Sequence, residues 1–154
     1  MKLTKNFSLK ELTASQTAVR LGIPQKPTEE QLVYLTNLCC NILQPIRDHF
    51  GKVLTVSSGF RSPDLSEAVG SKKTSEHCCI DSAAADFELF GIDNKLTAQF
   101  IQAELDYNQL ILEHYSPPNG GWIHCSYRIE GNKKKAMHAF KEDGKTVYKE
   151  GLWH

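Results

Sequence analysis

The sequence predicts a mixed fold in which helices dominate the chain up to about residue 51 and strands dominate the remainder. Three observations carry that expectation. Thr28-Glu29-Glu30-Gln31 has the form of a capping box, and it opens a run in which Leu32, Leu35, Leu38, Cys39, Ile42 and Ile46 recur at steps of three and four, the period of one buried helix face. Alternating or β-branched stretches at 53–57, 83–89, 109–115 and 122–127 read as strands. Turn punctuation at Ser116-Pro117-Pro118-Asn119-Gly120-Gly121 and at Asp143-Gly144 folds strands back on themselves.

Each element has a local reason. Ser8-Leu9-Lys10-Glu11 is a second capping box with Phe7 placed to staple it, so a short helix starts there, and Gly22 and Pro24 close that region. Pro45 falls inside the long helical period and is expected to kink it or split off its last turn, because the ring removes a donor and crowds the preceding turn. Gly51 then supplies a C-terminal cap. A short helical turn at 64–69 ends at Gly70, and a polar loop runs from Ser71 to Glu76. Asp93 caps a helix from Lys95 to about Leu105 whose apolar positions are Leu96, Phe100, Ile101 and Leu105. A hairpin centred on the 116–121 turn brings Glu113 opposite or nearly opposite His124, with Cβ atoms about 5 Å apart on one face. A last hairpin joins 136–140 to 145–148, and Lys133-Lys134-Lys135 is expected in a solvated loop.

At 154 residues the chain is the size of one ordinary domain, and a single domain spanning 1–154 is expected. Eighteen basic side chains balance 18 acidic ones, so no net field draws the protein to nucleic acid or to an anionic membrane. No apolar run approaches the roughly 20 residues of a spanning helix, and the opening residues lack the apolar core of a secretory signal, so a cytoplasmic product is expected. The five cysteines include two adjacent pairs, Cys39-Cys40 and Cys78-Cys79, a spacing that suits neither a disulfide framework nor a CxxC metal knuckle; reduced thiols fit it.

The chemistry-bearing residues gather in a few short stretches. Gly59-Phe60-Arg61-Ser62 sets an arginine after a glycine turn; Ser75-Glu76-His77 ends a polar loop; Asp86 closes the small apolar run Ala83-Ala84-Ala85; and His124 stands in Trp122-Ile123-His124. Two imidazoles and one carboxylate with an open fourth position are what a catalytic zinc ion takes. A carboxylate among alanines needs a cation or a hydrogen-bond network to offset its desolvation. Each residue also has an ordinary reading: Asp86 as a cap or ion pair, His124 as a satisfied sheet histidine, Arg61 as a surface arginine, Ser75 as a cap, Trp122 as core.

Taken together, Gly59-Phe60-Arg61-Ser62, Ser75-x-His77, Ala84-x-Asp86 and Trp122-x-His124 resemble the zinc D-Ala-D-Ala carboxypeptidase and L-alanyl-D-glutamate peptidase family, which includes vancomycin-resistance dipeptidases and many phage endolysins. The opening Asn6-Phe7-Ser8-Leu9-Lys10-Glu11-Leu12 is similar to its compact phage-type members, and the likeness runs from Phe7 to Tyr127. The resemblance implies an α+β fold, a small single domain with an antiparallel sheet forming a zinc cleft and packed against helices. It implies Zn2+ held by His77, Asp86 and His124, with Arg61 facing the scissile carbonyl, Ser75 and Trp122 binding substrate, and a monomer acting on peptidoglycan stem peptides after release from the producing cell, as a phage or prophage product does. The same fold without turnover, as a peptidoglycan-binding module, is the alternative.

Two departures from the family pattern stand out. The usual run is Ser-x-His-x-x-Gly-x-Ala-x-Asp, whereas here His77 and Asp86 are two residues further apart and Ser82 stands at the glycine, which opens the question of whether Asp81, Cys78 or Cys79 joins the metal. Better-known members also carry an acid three residues before the last histidine, and here that position is Gly121. Glu113 is the expected general base in its stead, with His114 a weaker candidate because its side chain should point to the opposite face.

Overall fold

In the computed structural model, which describes residues 1–153, the chain is α+β. Helix α1 (Leu9–Thr13) starts at Ser8, whose hydroxyl accepts from the Glu11 N–H, and α2 (Gln16–Leu21) is capped by Ser15 and ends at Gly22 in the left-handed region. The Thr28 and Gln31 side chains complete the capping box of α3 (Glu29–Leu38). The helix does not stop at its end. It widens into a π-helical turn over Cys39–Leu43 and continues as α4 (Gln44–Phe50), in which Pro45 occupies the first turn. The π turn is the device that admits the proline: the Gln44 N–H reaches back to the Cys39 carbonyl, five residues away, and the ring enters where a new helical segment begins. Leu35, Leu38, Cys39, Ile42, Leu43 and Ile46 are fully buried, so the helical period is the core face.

Strands β1 (Leu54–Ser58), β2 (Ala83–Leu89), β3 (Gln109–Glu113), β4 (Trp122–Tyr127), β5 (Lys135–Glu142) and β6 (Lys145–Glu150) form one sheet in the order β1-β2-β4-β3-β5-β6. Between β1 and β2 lie α5 (Pro63–Ala68) and a 3₁₀ turn over Glu76–Cys78; α6 (Asn94–Glu104), capped by Asp93, precedes β3. All neighbours are antiparallel except β3 and β5, which run parallel. That pair, the helix α2, the extension of the last hairpin to 135–150, and the end of β3 at Glu113 rather than Tyr115 differ from expectation. The lysine-rich stretch expected as a solvated loop is the crossover into the parallel strand, and its final lysine, Lys135, begins β5.

Period-two alternation splits the sheet into two faces. Ala85, Phe87, Leu110, Leu112, Ile123 and Cys125 face the helices and are fully buried. Their neighbours Asp86, Ile111, Glu113, Trp122 and His124 face the other way, and that face carries the candidate site. All five cysteines are free, four of them buried.

Candidate functional site

The first piece of the site is a close approach of backbone to backbone. A Cβ on Gly59 would collide with the Leu12 carbonyl, so only glycine lets the strand-β1 turn lie against the end of α1, where the Phe60 N–H donates to that same carbonyl. The turn this fixes presents the Gly59 carbonyl to His77 Nδ1 at 2.7 Å. A carbonyl can only accept, so Nδ1 carries the proton and Nε2 is left as a lone pair. The Arg61 N–H, two residues on, donates to the His77 carbonyl at 2.9 Å, and the 3₁₀ turn that carries the histidine is thereby tied to the turn from both ends.

Asp86 and His124 are direct cross-strand partners on β2 and β4. Asp86 Oδ1 lies 3.4 Å from His77 Nε2 and 3.0 Å from His124 Nδ1. One ligand atom from each of the three residues falls within 4.8 Å of the others, the one such group among the described residues. Ligands at about 2.0–2.2 Å from a tetrahedral ion stand roughly 3.3 Å from one another, so the donor set and its spacing fit zinc. The remaining nitrogen, His124 Nε2, is buried with no hydrogen-bond partner; its nearest acid is Glu76 Oε1 at 3.9 Å. A cation at the centre selects the tautomer with the proton on Nε2, facing Glu76.

Glu76 is the site residue that motif reading passed over, because it occupies the variable place in Ser-x-His. Its other oxygen accepts from Asn108 Nδ2 at 2.9 Å and from the Ser82 hydroxyl at 3.2 Å. Burial works to raise its carboxyl, but interactions with His124, Asn108 and Ser126 prevail and hold it at about 2. For Asp86, burial is likewise outweighed, by His124 and His77, and its carboxyl sits well below the ordinary range. His124 is the reciprocal case: burial would lower the imidazole, and Asp86 and Glu76 instead raise it to about 9. Anionic pull of this kind on a buried imidazole is the electrostatics of a cation site.

The two-residue extension between His77 and Asp86 does not bring new ligands inward. Asp81 turns out to an ion pair with Arg128 at 3.0 Å, while Cys78 and Cys79 are buried away from the three converging atoms. Ser82 uses the extension to support Glu76.

Glu113 pairs across the sheet with Trp122, and His124 pairs with Ile111. The carboxylate is therefore a diagonal neighbour of His124 on the same face, nearly opposite it as the hairpin is expected to place it. Trp122 Nε1 donates to Glu113 Oε2 at 2.9 Å. Burial first, and then the charge of Asp86, raise the Glu113 carboxyl above its ordinary value, with His124, Trp122 and Arg61 offsetting part of the rise. His114 is excluded from this cluster: it follows the strand with a left-handed backbone and sets its ring 5.2 Å from the Trp122 ring, outside the cleft lining.

Gly121 explains why the carboxylate comes from β3. Its φ is +78°, and a Cβ there would run into the backbone of Glu113 and His114. Asn94, at the start of α6, holds the Gly121 carbonyl at 3.1 Å. The position three residues before His124 thus has no room for an acid.

A cavity of about 740 Å³ opens over these groups, lined on one side by Arg61, Ser71, Lys72 and Ser75 and on the other by Ile111, Met137 and Tyr148. Arg61 is braced by the Ser58 and Ser71 hydroxyls, each at 3.2 Å, and its guanidinium stands 3.7 Å from Asp86 Oδ2. Ser75 lines the cavity and also caps the 3₁₀ turn, accepting from the His77 N–H. Trp122 lines the cavity while its indole holds Glu113.

No curated protein matches the chain. The sequence model described as Peptidase M15 matches residues 5–126, a span that includes every residue of the His77, Asp86, His124 and Glu113 cluster. On that match the chain belongs to the M15 peptidases, a family of metallopeptidases.

Proposed function

We propose that the protein is a zinc peptidase that hydrolyses D-amino-acid-containing stem peptides of peptidoglycan. The observation that carries this reading is the convergence of the two histidines on Asp86 Oδ1, 3.4 Å from His77 Nε2 and 3.0 Å from His124 Nδ1, in the wall of a cleft that also holds Glu113, whose carboxyl is raised above its ordinary value. When bound there, zinc supplies Lewis acidity and makes water nucleophilic near neutral pH.

The protein's own groups do the rest. The Gly59 carbonyl fixes the ring orientation of His77, and Glu76 stands 3.9 Å behind His124 Nε2, so that the other nitrogen of each ring faces Asp86 Oδ1. Glu113, held by the Trp122 indole, accepts a proton from the attacking water and returns it to the departing amine; a carboxyl raised above its usual range suits both halves of that task. Arg61 faces the carbonyl oxygen as negative charge grows on it, and its always-protonated fork needs no rearrangement because Ser58 and Ser71 already hold it. Ser75 offers a hydroxyl to the substrate backbone at the cleft rim.

Family membership supports a peptidase; the wall substrate follows from the resemblance of the Gly-Phe-Arg, Ser-x-His and Trp-x-His runs to wall peptidases. The test is digestion of purified sacculi with the zinc-loaded protein and mass analysis of the released fragments. Release of D-alanine identifies a carboxypeptidase; a new amino terminus on D-glutamate identifies an endopeptidase. Sacculus binding without any fragment, in protein carrying one equivalent of zinc, would replace this reading by a binding module.

A further inference from the structure

The family match ends at residue 126, yet the cleft does not. Its far side is built by the β5–β6 hairpin. The registers place Trp122, Glu113, Ala139 and Tyr148 in one row across β4, β3, β5 and β6, and His124, Ile111 and Met137 in the adjacent row. Partners in register share a face, so Met137 and Tyr148 project on the side that carries the metal-binding set, and both line the same cavity as Glu113 and His124. Ala139, the residue between Glu113 and Tyr148 in this row, is small, so no long side chain separates the two across the sheet.

Tyr148 is 51% exposed, and among the described residues its hydroxyl makes no hydrogen bond. An amphipathic side chain at the mouth of a cleft with its polar tip unused is placed to meet a ligand. Burial first, and then the charges of Glu113 and Asp86, raise its phenol above the ordinary value. The opposite wall, with Arg61 and Lys72, is cationic. The two walls therefore ask for different things: an anionic group on the Arg61 side, and an alkyl side chain with a free main-chain carbonyl on the hairpin side.

We propose that the β5–β6 hairpin is the specificity wall of the cleft, with Tyr148 touching the bound peptide: its ring and Met137 flank a small alkyl side chain, and its hydroxyl donates to a main-chain carbonyl. This rests on the peptidase reading above. The step it affects is binding and orientation of the peptide, and the proton transfers stay with Glu113.

The test is steady-state hydrolysis of a synthetic stem peptide by the zinc-loaded full chain and by Tyr148→Phe and Tyr148→Ala, with zinc content and Tm measured alongside. Loss of one neutral hydrogen bond predicts a KM rise of about threefold to tenfold for Tyr148→Phe. Tyr148→Ala, which also loses the ring, is expected to raise KM further, with kcat little changed, and to gain relative kcat/KM on a peptide with leucine in place of the flanked alanine. Unchanged KM in both variants, at wild-type zinc content and Tm, overturns the proposal and leaves the peptidase reading standing. A wild-type protein that neither cleaves the peptide nor binds it in calorimetry ends both.

Discussion

Trp122 and Glu113 are joined by an indole-to-carboxylate hydrogen bond of 2.9 Å, made between residues directly paired across β3 and β4. The bond orients a half-buried carboxylate whose proton affinity is already raised by its surroundings. It also favours the charged form, so the two effects oppose each other.

Glu113→Gln keeps the shape and removes the proposed base. A fall in kcat of about 10²- to 10⁴-fold is expected, with zinc content at wild-type level, since the residue lies outside the ligand set. Wild-type-like turnover would transfer the proton to another group.

Trp122→Phe deletes the N–H donor while keeping an aromatic ring, although a smaller one, in the cavity wall. Because that bond lowers the Glu113 carboxyl, its loss raises it further, and the group must be ionised to act. The acid limb of the pH–rate profile is therefore expected to move to higher pH, whereas an unmoved limb would detach Trp122 from the carboxylate's titration.

Glu76→Gln and Glu76→Ala test the support behind His124. Loss of such a carboxylate partner costs about 10- to 100-fold in metal affinity. Competition with a chromophoric chelator reads this directly, in the absence of substrate. Equal affinity in the variants would reduce Glu76 to a partner of Asn108 and Ser82 alone.

Gly121→Asp restores the acid that better-known members carry at this place. In a Glu113→Gln background it is expected to restore no activity and to lower Tm, because the new side chain meets the backbone of Glu113 and His114 at a left-handed φ. Rescue of turnover would show that β4 can supply the base after all.

How much of the molecule is legible in its sequence depends on the range of the interaction involved. Local chemistry reads well: the Ser8 and Thr28 caps, the buried face from Leu35 to Ile46, and the turn at 116–121 are consequences of neighbours in sequence. The π turn at Cys39 is not legible, since a proline inside a helical period says that something must give without saying what. Parallel pairing of β3 with β5 escapes a sequence reading because no local signal distinguishes a crossover from a hairpin when the connection is a polar, lysine-rich loop. In the site, His77, Asp86, Arg61 and His124 emerge from spacing and family likeness. Glu76 does not, although a carboxylate beside a candidate ligand is the available signal; its value depends on Asn108, Ser82 and Ser126, which only the fold brings together.

The contact between Gly59 and Leu12 ties the amino-terminal helix to the imidazole of His77 through two successive carbonyls. The first dozen residues therefore buttress His77 from behind rather than merely decorating one end of the fold. Shortening the protein there would take Phe7 and Leu12 out of the core together with the backing of that histidine, and would be felt in Tm as well as in the set of the imidazole.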